Sequence, residues 1–248
     1  MKKLILAMLT ISIVLNACKK EAIEEVVKIE PTHKNLLLKR VDNDGLVFNY
    51  TYDANNRLTS YTRTSNAANP AQSFTFIYNS NGSLAEMTNN NFNRTIFSYN
   101  ADGTISKKLE YNGTGASATL INTYLYTYAA GVVTEQYIFA STGNGWRYLH
   151  TYDTKGNLIE IKYYTTTSSD LIGTFSGSST YKYDDKPSYK STMPKEFFFP
   201  NSAVNNLNVA YGNSGAVSYS YTYEYNVDGY PIKQSDGFNV SNFEYKRL

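Results

Sequence analysis

One motif recurs along this chain and limits what the chain can fold into. An aromatic residue, any residue, a tyrosine, an aspartate or asparagine and a short polar turn are followed by an aliphatic residue. The motif reads "YTYDANNRLTSYT" at residues 50–62 and returns at 76–88, 97–109 and 150–162. Asp or Asn at the first turn position accepts hydrogen bonds from the backbone two residues on, and glycine at positive φ lets a type I turn fit the strand twist. Each copy therefore predicts a β-hairpin.

Within each copy, the tyrosine and the aliphatic residue are predicted to face each other across the two strands as a packed pair. Asn56 stands at the glycine position of the first copy, and asparagine is the next best residue at positive φ. Pro187 cannot take positive φ, so its unit must turn in another way or end a strand. The predicted pairs are Tyr52/Leu58, Tyr78/Leu84, Tyr99/Ile105, Tyr152/Leu158, Tyr211/Val217 and Tyr225/Pro231.

The segments between the turns alternate with a period of two residues, which is the signature of strands with one ring-bearing face. No window beyond residue 34 keeps a 3.6-residue apolar period, so we expect little or no helix. A long open meander would leave edges that invite aggregation, and a sheet of a dozen or more strands must curl, split or close. The sequence therefore predicts one all-β domain at residues 35–248, a long antiparallel meander that is strongly curled or closed like a barrel.

Composition agrees with a folded β protein and excludes some partners. Aromatic residues make up 15% of the chain, with 24 Tyr and 12 Phe, which is too aromatic for a disordered chain. The formal net charge is only +2, so no strong field indicates a nucleic acid partner.

The amino-terminal residues resemble the signal of a bacterial lipoprotein. Residues 1–17 have a basic start and an apolar run too short to span a bilayer. They end in Leu-Asn-Ala before Cys18, the only cysteine, which resembles a lipobox. The resemblance implies a lipid on Cys18, a tether at residues 18–34, and an outer-membrane lipoprotein on the periplasmic side or the cell surface. The alternative is an ordinary signal peptide with an unrelated cysteine.

The repeated unit "YxYDxxGxL" resembles the YD repeats of Rhs-type bacterial proteins. A lipoprotein built of such units is also similar to an uncharacterised bacterial lipoprotein family with a porin-like β fold. The resemblance covers most of the chain from about residue 36. It implies an extended antiparallel sheet and relatives that are often carbohydrate-associated, and it transfers no catalytic residue.

Two clusters are candidate binding residues. Trp146, the only tryptophan, follows a Gly-Asn-Gly turn and precedes Arg147 and Tyr148, so these three could stack on a sugar ring. The alternative is that Trp146 packs in the core. Phe197, Phe198 and Phe199 break the alternation, so they either plug one end of the barrel, cover a sheet edge, or form an exposed patch for a partner.

No catalytic or metal site is predicted. His150 replaces the first aromatic residue of its repeat and is interpreted as a packing residue. With one cysteine and no histidine cluster, a zinc site is not indicated. The Asp42–Gly45 stretch is interpreted as a turn, because no late glutamate completes a calcium loop. The pair Asp184-Asp185 is interpreted as a turn in the same way, and no cofactor motif is present.

The sequence thus favours a lipid-anchored cell-envelope protein with a non-enzymatic binding or scaffolding role. Its expected partners are the membrane, through Cys18, and a polysaccharide or another envelope protein. Two alternatives stay open, a glycan-processing enzyme of the envelope and a shell or adhesion fragment of the YD-repeat type.

Overall fold

The structure is a computed structural model that describes residues 35–90, 93–113 and 115–248. The predicted signal peptide 1–17 and the predicted lipidated cysteine and tether 18–34 lie outside the described residues. Seventeen strands account for most of the described chain, and the helical part is limited to one α-helical turn, α1 (Lys195–Phe198), and two 3₁₀ turns at Gly115–Ser117 and Tyr189–Thr192. Within the described ranges, no helix is long and apolar enough to cross a bilayer.

The first nine strands of the meander follow one another at short intervals. They are β1 (Asn35–Asp42), β2 (Val47–Tyr52), β3 (Leu58–Arg63), β4 (Gln72–Tyr78), β5 (Leu84–Asn89), β6 (Asn93–Tyr99), β7 (Ile105–Asn112), β8 (Thr119–Ala129) and β9 (Val132–Phe139). The last eight are β10 (Gly145–Tyr152), β11 (Leu158–Thr167), β12 (Asp170–Pro187), β13 (Asn205–Tyr211), β14 (Val217–Ser220), β15 (Thr222–Tyr225), β16 (Pro231–Ser235) and β17 (Val240–Arg247).

The sheet closes on itself into a barrel, which is one of the two forms, curled or closed, that the sequence predicts. Strands β1 to β13 each pair antiparallel with the next strand in the chain. Strands β14 and β15 follow each other in one strand position of the barrel and are interrupted only at Tyr221. Strand β15 pairs with β16, and β16 pairs with β17. Strand β17 then pairs with β1, from Asn35 opposite Arg247 to Asp42 opposite Ser241. Closure removes the free edges that a meander of this length would otherwise expose.

All six predicted cross-strand pairs are confirmed. In each, the tyrosine lies opposite the aliphatic or proline residue, and the register shifts by one residue just before the tyrosine. The shift is a β-bulge, which accommodates the turn and increases the local twist. Asn56 takes φ 61° as predicted, and Pro187 ends β12.

In several copies the motif also links a hairpin to the one before it. The tyrosine hydroxyl donates a hydrogen bond of 2.6 to 2.9 Å to a backbone carbonyl on the preceding hairpin or strand, in several cases that of the preceding copy's aliphatic residue. The carbonyl of this aliphatic residue lies at a β-bulge, where regular strand pairing is interrupted. The tyrosine hydroxyl therefore supplies the hydrogen bond that this carbonyl accepts. The donor and acceptor pairs are Tyr52 to Leu37, Tyr78 to Leu58, Tyr99 to Leu84, Tyr128 to Ile105, Tyr183 to Leu158, Tyr223 to Leu207 and Tyr245 to Pro231.

The connection between β12 and β13, residues 188–204, runs inside the barrel, and we call it the plug. The Phe197 ring packs edge-on against Tyr61, Phe74 and Phe76 at centroid distances of 5.9, 6.0 and 5.4 Å. Phe199 packs against Tyr126 of β8 at 5.0 Å. The plug thus contacts separate parts of the wall, β3–β4 and β8, and fills part of the interior that the strand faces alone leave open.

The plug lies toward the end of the barrel where the Asp- or Asn-led turns cluster, which we call the turn end. Asn205, the first residue after the plug, accepts a hydrogen bond from the side chain of the turn residue Asn157. Both side chains are buried. The connections at 64–71, 140–144 and 236–239 lie at the opposite end, which we call the far end. The lumen is therefore filled asymmetrically along the barrel axis.

Candidate functional site

A cleft of about 460 Å³ lies in the lumen between the plug and the wall formed by β7 to β12. We call it the tyrosine cleft, because tyrosines are its most frequent lining residue. Phe199, Pro200 and Asn201 of the plug bound it on one side. Its tyrosines are Tyr124, Tyr137, Tyr148, Tyr163 and Tyr181.

The rings enter the cleft because strand alternation places them on the inner face. Tyr124 lies opposite Tyr137 on the neighbouring strand, and their rings stack at 4.8 Å. Tyr163 lies opposite Gly177, and a Cβ at that glycine would come within 2.5 Å of the Tyr163 hydroxyl. Gly177 therefore provides the room that the Tyr163 ring occupies in the cleft.

These tyrosines combine apolar faces with polar tips. They are half-buried rather than fully enclosed, and burial raises the pKa of Tyr137, Tyr148 and Tyr181. These three phenols therefore stay neutral at physiological pH. Neutral phenols present flat apolar surface together with hydroxyls that donate and accept hydrogen bonds.

A buried, hydrogen-bonded histidine–glutamate pair lies at the base of the cleft. The Nε2 atom of His150 lies 3.0 Å from Oε2 of Glu135, and the Tyr126 hydroxyl lies 3.4 Å from the other carboxylate oxygen. His150 is 2% exposed and Glu135 6%. Because a carboxylate only accepts hydrogen bonds, Nε2 is assigned the proton. The Nδ1 atom of His150 is buried and has no hydrogen-bond partner within the described part of the chain.

Lys108 brings a cation to the same region. Its Nζ lies 3.8 Å from the centroid of the Tyr124 ring, a cation–π contact. Burial lowers the pKa of Lys108, and the nearby charges of Glu135 and Glu110 oppose that shift. Glu110 accepts hydrogen bonds from the Tyr124 hydroxyl and the Asn122 amide, each at 2.9 Å. The acidic groups are thus held by fixed partners, and the cleft carries polar groups in defined orientations.

The three residues predicted to stack on a sugar ring are divided by the barrel wall. Tyr148 lines the cleft, and Trp146 stacks on it at 6.4 Å along the same inner face. Arg147 points to the outer face, where its guanidinium lies 4.2 Å from the Tyr164 ring and donates to the Ile172 carbonyl at 2.7 Å. Residues i and i+1 of a strand face opposite sides, so Arg147 cannot join the other two.

The phenylalanine run lies in the plug. Phe197, Phe198 and Phe199 are half-buried, and all three pack against the core. Of the alternatives considered, this arrangement corresponds to the plug. Their role as a partner patch stays a prediction.

Two features of the cleft were not identified from the sequence. Glu135 and Lys108 occur outside the repeat's fixed positions, so no motif singles them out. His150 was interpreted as a packing residue, and it does occupy the buried aromatic position of its repeat. The departure from the repeat consensus at 150 was the available signal, and only the fold shows that Glu135 lies beside it. Within the described residues no group of three or more His, Cys, Asp or Glu side chains could hold a metal ion.

Comparisons with known proteins agree with the repeat and the fold. The RHS Repeat family model matches residues 33–68, which include β1 to β3 and the first copy of the motif. The chain is similar to a porin-like protein from Bacteroides uniformis, with 15% identity, a TM-score of 0.51, and coverage of 86% of this chain and 96% of that one. At this identity the likeness shows the fold alone, a porin-like antiparallel barrel.

Weaker likenesses exist to two further structures. A porin-like protein from Bacteroides vulgatus is 13% identical, with a TM-score of 0.45 and coverage of 86% of this chain and all of that one. The Photorhabdus luminescens Tc holotoxin pore is 15% identical, with a TM-score of 0.31 and coverage of 81% of this chain and 11% of that one. No curated protein matches the chain. The protein is therefore an antiparallel β-barrel with a porin-like fold, and residues 33–68 match the RHS Repeat.

Proposed function

We propose that this protein is a lipid-anchored cell-envelope protein that binds sugar rings of a polysaccharide in the tyrosine cleft. The observation that carries the proposal is the set of half-buried tyrosine rings that converge on one luminal cavity of about 460 Å³. Sugar rings have apolar faces and hydroxyl edges, and tyrosines match both. Two charged side chains, Lys108 and Glu135, line the cleft, and Glu135 is bound by His150. This arrangement favours binding over hydrolysis, which needs two carboxyl groups across a cleft.

The binding proposal is tested with the full chain purified in detergent. Soluble neutral oligosaccharides of several linkages are titrated by calorimetry and by the fluorescence of Trp146, the only tryptophan. We expect at least one linkage to bind and to change that fluorescence, because Trp146 stacks on the cleft residue Tyr148.

Matched variants locate the site. Tyr137→Ala and Tyr148→Ala remove rings that line the cleft and should abolish binding. Arg147→Ala removes a neighbour on the outer face and should leave binding unchanged. Absence of binding across the whole panel, or equal losses in all three variants, would contradict the proposal.

The proposed location in the cell envelope depends on a lipid at Cys18, and it is tested separately. Cells fed an alkyne-tagged fatty acid should label the wild-type chain and not the Cys18→Ala variant, because the thiol is the only acceptor of its kind. Protease treatment of intact cells distinguishes the cell surface from the periplasmic side. Label that persists in the variant would refute the anchor without affecting the binding proposal.

A further inference from the structure

We infer that the tyrosine cleft recognises the end of a sugar chain rather than an internal segment. The inference rests on the proposed function and specifies which part of the polysaccharide is bound. Two features of the lumen support it: a base that the plug closes, and an aromatic path that leads to the cleft from the far end.

The plug closes the cleft on the side of the turn end. Phe199 and Pro200 line the cleft, and Phe199 packs against Tyr126 of the wall at 5.0 Å. The Tyr152 hydroxyl donates to the carbonyl of Pro200 in the plug, whereas Tyr78 and Tyr99 donate to carbonyls of the preceding hairpin. A sugar chain in the cleft therefore cannot continue past the plug toward the turn end.

Aromatic rings lead from the cleft to the far end. The Tyr137 ring lies 4.8 Å from the ring of Phe139, which is 36% exposed and borders the 140–144 connection. The closed wall surrounds the lumen laterally. A chain would enter from the far end, and its terminal sugar would be the part that reaches the base.

The test uses the oligosaccharide that binds best in the panel, prepared in three forms. One is free at both ends, one carries a bulky group at the reducing end, and one carries it at the non-reducing end. Chain-end recognition predicts that one of the two caps lowers affinity roughly tenfold or more, because a bulky group on the inserted end prevents that end from reaching the closed base of the cleft. The other cap should have little effect, because that end remains outside the far end.

The outcomes separate the two proposals. Binding that neither cap weakens would overturn chain-end recognition and leave the proposed function intact. A panel in which no oligosaccharide binds would overturn the proposed function, and this inference with it. The full chain in detergent is used throughout, and Arg147→Ala serves as the variant with an unaltered cleft.

Discussion

At the residue scale, the stability of the barrel depends on side chains that form hydrogen bonds with buried polar groups that lack a partner in the regular strand pairing. The repeat tyrosines donate to carbonyls at the bulges of neighbouring hairpins. Nε2 of His150 and the carboxylate of Glu135 form a buried hydrogen bond on the inner side of the wall. In both cases a buried polar atom would be left alone if one partner were removed, and that loss exceeds the net value of the bond.

One prediction concerns the tyrosine hydroxyls. Tyr78→Phe keeps the ring and removes the 2.7 Å bond to the Leu58 carbonyl, so the free energy of unfolding should fall by about 1–2 kcal/mol. Tyr61→Phe is the matched control, because the Tyr61 ring stacks on Phe74 at 4.8 Å and its hydroxyl makes no hydrogen bond to the described residues. Urea denaturation measures both variants. Equal losses would show that the hydroxyl bond contributes nothing specific.

A second prediction concerns the buried pair. His150→Phe restores the aromatic residue found in other copies, yet it leaves the Glu135 carboxylate buried with only the Tyr126 hydroxyl at 3.4 Å. The single variant should lose about 3–5 kcal/mol of unfolding free energy, as expected when one partner of a buried pair is removed. The Glu135→Leu/His150→Phe double variant should recover most of that loss. A double variant as unstable as the single one would contradict this account.

At the scale of elements, the hairpins and their pairing were predictable, whereas the plug's path was not. The Asn56 and Gly103 turns, the Tyr99/Ile105 pair and the end of β12 at Pro187 all follow from local backbone preferences. The three phenylalanines at 197–199 indicate only that the strand pattern of alternating inward and outward side chains is interrupted there. Whether such a run lines a surface or crosses a lumen depends on which walls surround it, and those walls come from residues far away in sequence.

The plug's contribution to stability can be measured directly. Phe197→Ala removes contacts with rings on β3 and β4 and leaves a cavity, so the free energy of unfolding should fall by about 2–4 kcal/mol. Phe238→Ala, at a ring that is 90% exposed, should change it little. Limited trypsin digestion should also become faster at Lys195 in the first variant only. Unchanged stability and digestion in Phe197→Ala would show that the plug is not anchored by this ring.

At the scale of the whole molecule, the barrel encloses an unusual number of phenols. Burial raises the pKa of tyrosines in every part of the wall, among them Tyr50, Tyr126, Tyr152 and Tyr245. The fold therefore favours the neutral phenol more strongly than the unfolded chain does. This contribution to stability is complete below the unfolded pKa of about 10 and is lost as pH rises above it toward the raised folded values.

Alkaline titration tests this expectation. The barrel should keep its β-sheet circular dichroism up to about pH 10 and then unfold cooperatively, because ionisation of buried phenols requires unfolding. Phenolate absorbance should rise in the same transition as the loss of sheet. Gradual ionisation of most tyrosines near pH 10 with the fold intact would show that the rings are accessible to water.

The sequence by itself determined the local units: alternation set which side chains share a face, and turn chemistry set where each hairpin bends. Both the facing of the side chains and the position of each turn depend on neighbours within a few residues. Each copy of the motif therefore encodes them locally. Only the tertiary structure decided that β17 meets β1, that residues 188–204 enter the lumen, and that Glu135, His150 and Lys108 border one cleft. Those outcomes depend on strand number, bulge-induced twist and the volume left inside a closed wall, and no single segment of the chain encodes any of them.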